Sequence, residues 1–278
     1  MILIRTFLVA TAASVALLSG CETVDTTKEG TVGVDRQQRM AVSSEEVEAG
    51  SKKAYAEMMA EAQKKGVLDR NAAQVQRIRA ITQKLVPHTA TFRADAAKWP
   101  WEVHVISIDE VNAWCMPGGK MAIYTGLIEK LNASDDEIAA VMGHEISHAL
   151  REHARERISR QMGTQMAVGI AGALFGIGQL GQGVGNMVAD VTLNLPNSRT
   201  HEVEADRIGV ELAARAGYDP RAAISLWEKM AKVSSGGQPP KWLSTHPSHE
   251  DRINDLRAYS EKVMPLYQAA KGGASAGK

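Results

Sequence analysis

His144-Glu145-Ile146-Ser147-His148 is the stretch on which the reading of this chain turns. On an α-helix, positions i and i+4 share a face about one turn apart, so both imidazoles can reach one metal ion. Glu145, beside the first histidine, can hold a water on that metal and take its proton. Average residue frequencies give this pattern by chance in roughly one chain in a hundred of this length, so its surroundings have to decide. Ser134 followed by Asp135, Asp136 and Glu137 has the form of a helix start, with a capping hydroxyl and acids over the positive end of the dipole. Ile138, Ala139, Val141, Met142 and Ile146 then form an apolar stripe. Two histidines and a glutamate buried on such a helix are costly to desolvate unless something pairs them, and a metal ion does.

Catalytic zinc takes three protein ligands and keeps one position for water. Downstream runs Ser198-Arg199-Thr200-His201-Glu202-Val203-Glu204-Ala205-Asp206. Glu202 and Asp206 are spaced i, i+4, so both can face the first helix. Glu202 is the expected third ligand of one Zn2+ per chain. Asp206 is expected to accept the second ring N–H of a ligand histidine and so fix its tautomer. Glu204 lies about 200° round the helix from Glu202 and is expected to point elsewhere. His201 competes as a ligand on chemical grounds but has no paired acid.

These residues resemble the gluzincin metallopeptidases of family forty-eight, the group of HtpX and the CAAX prenyl endopeptidase, and within it the periplasmic lipoprotein proteases of LoiP and BepA type. Three further stretches match. Asn112-Ala113, Pro117-Gly118-Gly119 and Tyr124-Thr125-Gly126 resemble the family's strand beside the active site. Ser198-Arg199 precedes the third-ligand helix as in the family. Thr245-His246-Pro247 with Arg252-Ile253 resembles its late motif. The resemblance covers roughly residues 45–265. It implies one zincin-like α+β domain, mainly α-helical, with a small β-sheet whose edge strand borders the active-site cleft. It also implies a zinc-dependent endopeptidase acting on misfolded or misassembled cell-envelope proteins, with Asn112, Gly118 and Gly119 on the substrate side. A chaperone or assembly factor that binds unfolded outer-membrane proteins with little turnover is the rival reading, but binding alone needs no general base at Glu145.

His246 has three readings that the sequence leaves open. It can hydrogen-bond the tetrahedral oxyanion, swing onto the open zinc position as in BepA-type relatives, or simply orient its loop. Arg252 is expected as the partner of a buried carboxylate rather than on the oxyanion side. Cys115 reads as a packed thiol, with a fourth metal ligand as the alternative.

The chain has 278 residues, 44% of them hydrophobic, and no net formal charge. That length buries a substantial core in one domain, and the absence of a basic cluster argues against nucleic acid as a partner. Met1–Arg5 is a short basic start and Phe7–Leu18 an apolar run too short for a comfortable membrane span. Leu18-Ser19-Gly20-Cys21 looks like a bacterial lipobox, which makes residues 1–20 a signal peptide and Cys21 the lipidated anchor. Glu22 after the cysteine favours the outer membrane, by resemblance to bacterial lipoproteins. With Cys21 lipidated, Cys115 has no intramolecular disulfide partner.

Residues 21–44 are polar and read as a tether, 45–265 as the peptidase domain, and 266–278 as a disordered tail. Two helices broken near Gly66 are expected from Glu45 to Val86, with Ile78, Ile81 and Leu85 facing inward. Trp101–Ile108 and Lys120–Thr125 read as strands joined through the turn at Pro117-Gly118-Gly119. Gly119–Thr125 is expected as the edge strand along the cleft, where it can pair with an extended peptide. Gln161–Ala189, which contains no charged residue and is rich in glycine, is too short for two membrane spans and reads as small-residue helix packing plus a mobile loop. Helices are also expected over Arg221–Val233 and Glu250–Met264.

Overall fold

The computed structural model describes residues 22–175, 183–234, 240–247 and 251–275. The expected signal peptide and lipid-bearing Cys21 lie outside them, as does the middle of the expected glycine-rich loop. In chain order the elements are β1 (Glu22–Val24), β2 (Gln38–Met40), α1 (Ser44–Lys64), α2 (Ala72–Leu85), β3 (Glu102–Ile106), β4 (Ala113–Met116), β5 (Lys120–Tyr124) and α3 (Thr125–Lys130). Then follow α4 (Asp135–Leu150), α5 (His153–Phe175), α6 (Val184–Leu193), α7 (Arg199–Arg215), α8 (Ala222–Ser234), α9 (Lys241–Thr245) and α10 (Arg252–Ser275). The result is the expected α+β, mainly helical architecture.

Helix α4 is the centre of it. Ser134 closes a capping box with Glu137: the Ser134 hydroxyl accepts from Glu137 N–H at 3.2 Å and the Glu137 carboxylate accepts from Ser134 N–H at 2.8 Å. The whole apolar stripe from Ile138 to Ile146 is buried. Helix α7 crosses α4 at a glycine pair. A Cβ on Gly143 would lie 2.9 Å from Gly209 O, and one on Gly209 would lie 2.8 Å from His144 N. Only glycine at both positions lets the backbones approach this closely, and that brings the acids of α7 to the histidines of α4.

Strands β3, β4 and β5 form a sheet of order β3-β5-β4, with β3 parallel to β5 and β4 antiparallel to it. This corrects the expectation for Gly119–Thr125. The segment forms β5, which is central and paired on both sides, while the edge strand beside α4 is Ala113–Met116. All four residues of β4 are buried, so Ala-Trp-Cys-Met shows none of the alternation that marks a half-exposed strand. The turn at Gly118-Gly119, both at φ +77, joins β4 to β5.

Two end segments also differ from expectation. Residues 22–44 are packed against the domain rather than free. Val32, Val34 and Met40 are buried, Val32 N–H donates to Glu211 at 3.0 Å, and Gln38 is fully enclosed. The apolar residues are spaced singly among polar ones, and a compositional reading averages them away. At the other end, α10 continues past Pro265 to Ser275, with Leu266 and Tyr267 against the core. Proline removes one helical donor, and the packing on either side outweighs that loss. Among the described residues no helix is long and apolar enough to cross a membrane.

Candidate metal centre

Helix α4 presents His144, Glu145 and His148, all buried. His144 Nε2 and His148 Nε2 face each other at 3.1 Å, and Glu202 of α7 closes the third side, 3.6 Å from His144 Nε2 and 3.4 Å from His148 Nε2. His246, just after α9, completes the group: one donor atom from each of these four residues lies within 4.8 Å of the other three. His201 is not among them. Its ring stacks on His153 at 4.2 Å and its Nε2 lies 3.2 Å from Glu156. Cys115 is buried, and its thiol, pushed up by that burial, stands outside the donor group.

The acids are held as the spacing requires. His144 Nδ1 lies 2.9 Å from Asp206 Oδ1. Arg252 grips Asp206 through Nε at 2.6 Å and Nη2 at 2.9 Å, and stacks its guanidinium over Trp227 at 3.9 Å. Burial pushes the Asp206 carboxyl up, but Arg252 and His144 outweigh it and hold it at about 2. Burial pulls His144 down, yet the bond to Asp206 and the charge of Glu202 leave it raised. Arg252 is therefore the partner of buried carboxylates, as expected from the sequence.

Whether these residues suit a metal can be judged from Glu202. It is fully buried, and neither carboxylate oxygen receives a hydrogen bond; Arg252 Nη1 lies 2.7 Å from Oε2 but off hydrogen-bond alignment. With His144 donating Nδ1–H to Asp206 as a neutral ring, its Nε2 presents a lone pair to the same small space. Two imidazole nitrogens and a carboxylate that receives no aligned hydrogen bond and has only the Arg252 ion pair on Oε2 form a zinc donor set, and a cation there satisfies them all.

Glu145 sits beside that set. Trp242 of α9 donates its indole N–H to Glu145 Oε1 at 2.7 Å, and His246 Nε2 lies 3.4 Å from the same oxygen. Burial pushes the Glu145 carboxyl up to about 7, against the pull of His144 and of the Trp242 hydrogen bond. Burial likewise holds His148 and His246 well below the ordinary imidazole value. A cavity of about 20 Å3 borders Glu145, His148 and His246, walled by Cys115 and Pro117 on one side and by Val191 and Thr192 of α6 on the other. It has room for about one water and none for a peptide.

A model of Peptidase family M48 matches residues 72–260. This chain belongs to that family. Its zinc chemistry fits the donor set just described. Among curated M48 relatives, the chain is similar to a mitochondrial metalloendopeptidase OMA1 from Arabidopsis thaliana, 36% identical over 67% of this chain and 37% of that protein. It is also similar to OMA1 from Saccharomyces cerevisiae, 32% identical over 60% of this chain and 49% of that protein. The beta-barrel assembly-enhancing protease of Escherichia coli is 31% identical over 69% of this chain and 40% of that protein. The chain thus spans less than half the length of these relatives.

The structure also places the expected substrate-side residues, and it changes the expectation for His153. Asn112, Gly118 and Gly119 do not line the cavity by Glu145. Asn112 caps the start of β4 through Ala113 N–H at 3.0 Å, and Gly119 tucks under Trp101; the wall is built instead by Cys115 and Pro117. His153 looks remote from His148 on a continuous helix, at about 140°. The helix, however, ends at Leu150, and Glu152 takes a left-handed φ of +49, so His153 opens a new helix with its ring against His148. A helical wheel drawn through the break could not show that contact.

Proposed function

We propose that the chain is a zinc endopeptidase in which His144, His148 and Glu202 hold the metal and Glu145 is the general base. The observation that carries the reading is the convergence of those three donors, with the Glu202 oxygens lacking any hydrogen bond, directly beside a carboxylate raised to about 7. Zinc bound there would polarise the scissile carbonyl and lower the pKa of water towards 7. Glu145 takes the proton of the attacking water and returns it to the leaving amine, and a carboxylate titrating near neutrality suits both transfers. Trp242 fixes one Glu145 oxygen through its N–H, leaving the other to face the water. Asp206, clamped by Arg252, keeps the Nδ1 proton of His144 in place so that Nε2 is free to ligate.

His246 Nδ1 lies 3.1 Å from the Trp242 carbonyl and 3.0 Å from the Thr245 hydroxyl; with its hydrogen on Nδ1, donated to that carbonyl, Nε2 would turn a lone pair towards the metal donors. We read His246 as a ligand that shuts the site, which a peptide opens by displacing it.

The proposed substrates are misfolded or misassembled proteins of a bacterial envelope, with the chain held on the periplasmic side, at the outer membrane, by acyl chains on Cys21. The lipobox-like run Leu18–Cys21 and the likeness to a beta-barrel assembly-enhancing protease support this setting. The test is cleavage of casein by the full-length chain, wild type beside Glu145→Gln, with zinc measured on both. Cleavage lost in Glu145→Gln at equal zinc is the expected result. Equal zinc with no cleavage by either form would put the binding-protein reading ahead.

A further inference from the structure

The second ring nitrogen of His148 begins a chain of buried polar contacts that leaves the site altogether. His148 Nδ1 lies 2.8 Å from His153 Nδ1, and His153 Nε2 lies 3.0 Å from Glu204 Oε2. Glu204 meets Arg151 Nε at 3.1 Å and Arg36 Nε at 2.5 Å. Arg36 continues to Glu156 at 2.9 and 2.8 Å, where Gln38 Nε2 joins at 2.6 Å. His153, Glu204, Arg151 and Glu156 are all buried.

The positions of the hydrogens follow from this geometry. A contact between two ring nitrogens has room for a single hydrogen. His148 turns Nε2 to the metal donors, so as a neutral ligand it carries its hydrogen on Nδ1 and donates to His153. His153 Nδ1 then accepts, its own hydrogen moves to Nε2, and Glu204 receives it there. The reverse arrangement puts a hydrogen on His148 Nε2, where it blocks ligation, and turns a His153 lone pair against the Glu204 carboxylate. The Arg36 and Arg151 guanidinium groups hold that carboxylate in place.

We propose that His153 and Glu204, held by Arg36 of the N-terminal segment, are positioning residues that fix the metal-binding tautomer of His148. The proposal rests on reading His144, His148 and Glu202 as the zinc ligands. Asp206 with Arg252 performs the same service for His144, but from within the family-matched region. Arg36 and Gln38 lie before residue 72, where that match begins. A segment outside the family domain thereby becomes part of the support of the metal centre.

The experiment is zinc affinity of the full-length chain by chelator competition, together with the visible spectrum of the cobalt(II)-substituted protein. Wild type, His153→Leu, His153→Asn and Arg36→Gln are compared, with circular dichroism of each metal-free chain as the check on folding. His153→Leu removes the acceptor and should weaken zinc binding about 10- to 100-fold with a shifted cobalt spectrum. His153→Asn, whose Oδ1 stands in for Nδ1, should recover most of the affinity. Arg36→Gln should weaken binding too, and its loss should not add to that of His153→Leu in the double variant. Wild-type affinity and an unmoved cobalt spectrum in His153→Leu, or strictly additive losses, overturn the proposal. If His153→Leu does not fold, Arg36→Gln decides: unchanged zinc affinity overturns the relay, and a loss in a folded chain supports it. A wild type that binds no zinc defeats the ligand reading and the relay with it, whereas normal wild-type binding with indifferent variants defeats the relay alone.

Discussion

The Trp242 indole N–H and the Glu145 carboxylate meet at 2.7 Å, which ties the proposed general base on α4 to the short helix that also delivers His246. The bond stabilises the charged form of Glu145 and opposes the burial that raises it. Trp242→Phe keeps the ring and removes the donor. Glu145 should then titrate above 7, its base form should shrink at neutral pH, and the acid limb of kcat/KM should move up by about one pH unit, in line with a hydrogen bond to a charged group. A pH–rate profile of the two proteins reads this directly, and superimposable acid limbs would refute the role given to Trp242.

Asp206 makes a prediction about acid stability. Its folded value of about 2 lies below the ordinary aspartate value of about 3.9. A depressed carboxylate contributes stability that is fully present above the unfolded value and is lost as pH falls through the folded one, here between about 4 and 2, to the extent of about 2 kcal/mol. Denaturant midpoints of the metal-free chain should fall over that window. Asp206→Asn should flatten the fall and cost roughly 1–3 kcal/mol at neutral pH, because the Arg252 guanidinium loses one of its two buried carboxylate partners and keeps only Glu202. Equal pH slopes in the two proteins would contradict this assignment.

The glycine pair between α4 and α7 sets how closely Glu202 approaches the histidines. Gly209→Ala places a methyl 2.8 Å from His144 N, against backbone that cannot yield without moving the helix. The expected cost is about 1–3 kcal/mol of stability, as for other overpacked cores. Zinc affinity should drop along with it, since the third ligand is pushed away from the first two. Gly163→Ala, on open helix surface with nothing within 4 Å, is the control and should be neutral or slightly stabilising. A Gly209→Ala protein that melts like wild type would show that the helices have slack.

The proposed ligands His144, His148 and Glu202, with Asp206 behind them, were legible because each obeys one local period. His144 and His148, and then Glu202 and Asp206, repeat at i, i+4 on helices whose starts are marked by Ser134 and Ser198. What the sequence concealed lies where the local period breaks or where contacts are long in sequence. His153 comes after a left-handed Glu152, and Arg36 meets Glu204 across 168 positions. The edge strand was misplaced for a related reason. Ala113–Met116 is buried on both faces, and order within a sheet is a property of pairing that no single strand carries. Residues 22–44 read as a tether because Val32, Val34 and Met40 are each isolated, yet every one fills a gap in the domain.

His246 gives the sharpest choice, because its two chemical readings predict opposite signs. An oxyanion donor needs a hydrogen on Nε2, and its loss typically slows turnover by about 10²–10³. Burial keeps the ring neutral, and the proposed closed form carries the hydrogen on Nδ1, where the Trp242 carbonyl at 3.1 Å accepts it and the Thr245 hydroxyl lies at 3.0 Å, so that Nε2 has a lone pair to offer and no hydrogen. A lone pair among His144, His148 and Glu202 is a ligand that competes with water. Removing it should raise activity by the inverse of the open fraction, about tenfold if one molecule in ten is open. His246→Ala should therefore cleave casein faster than wild type at equal zinc content, and the gain should vanish when Glu145→Gln is added. A fall of a hundredfold instead would return His246 to the oxyanion side and would require its ring to flip once substrate is bound.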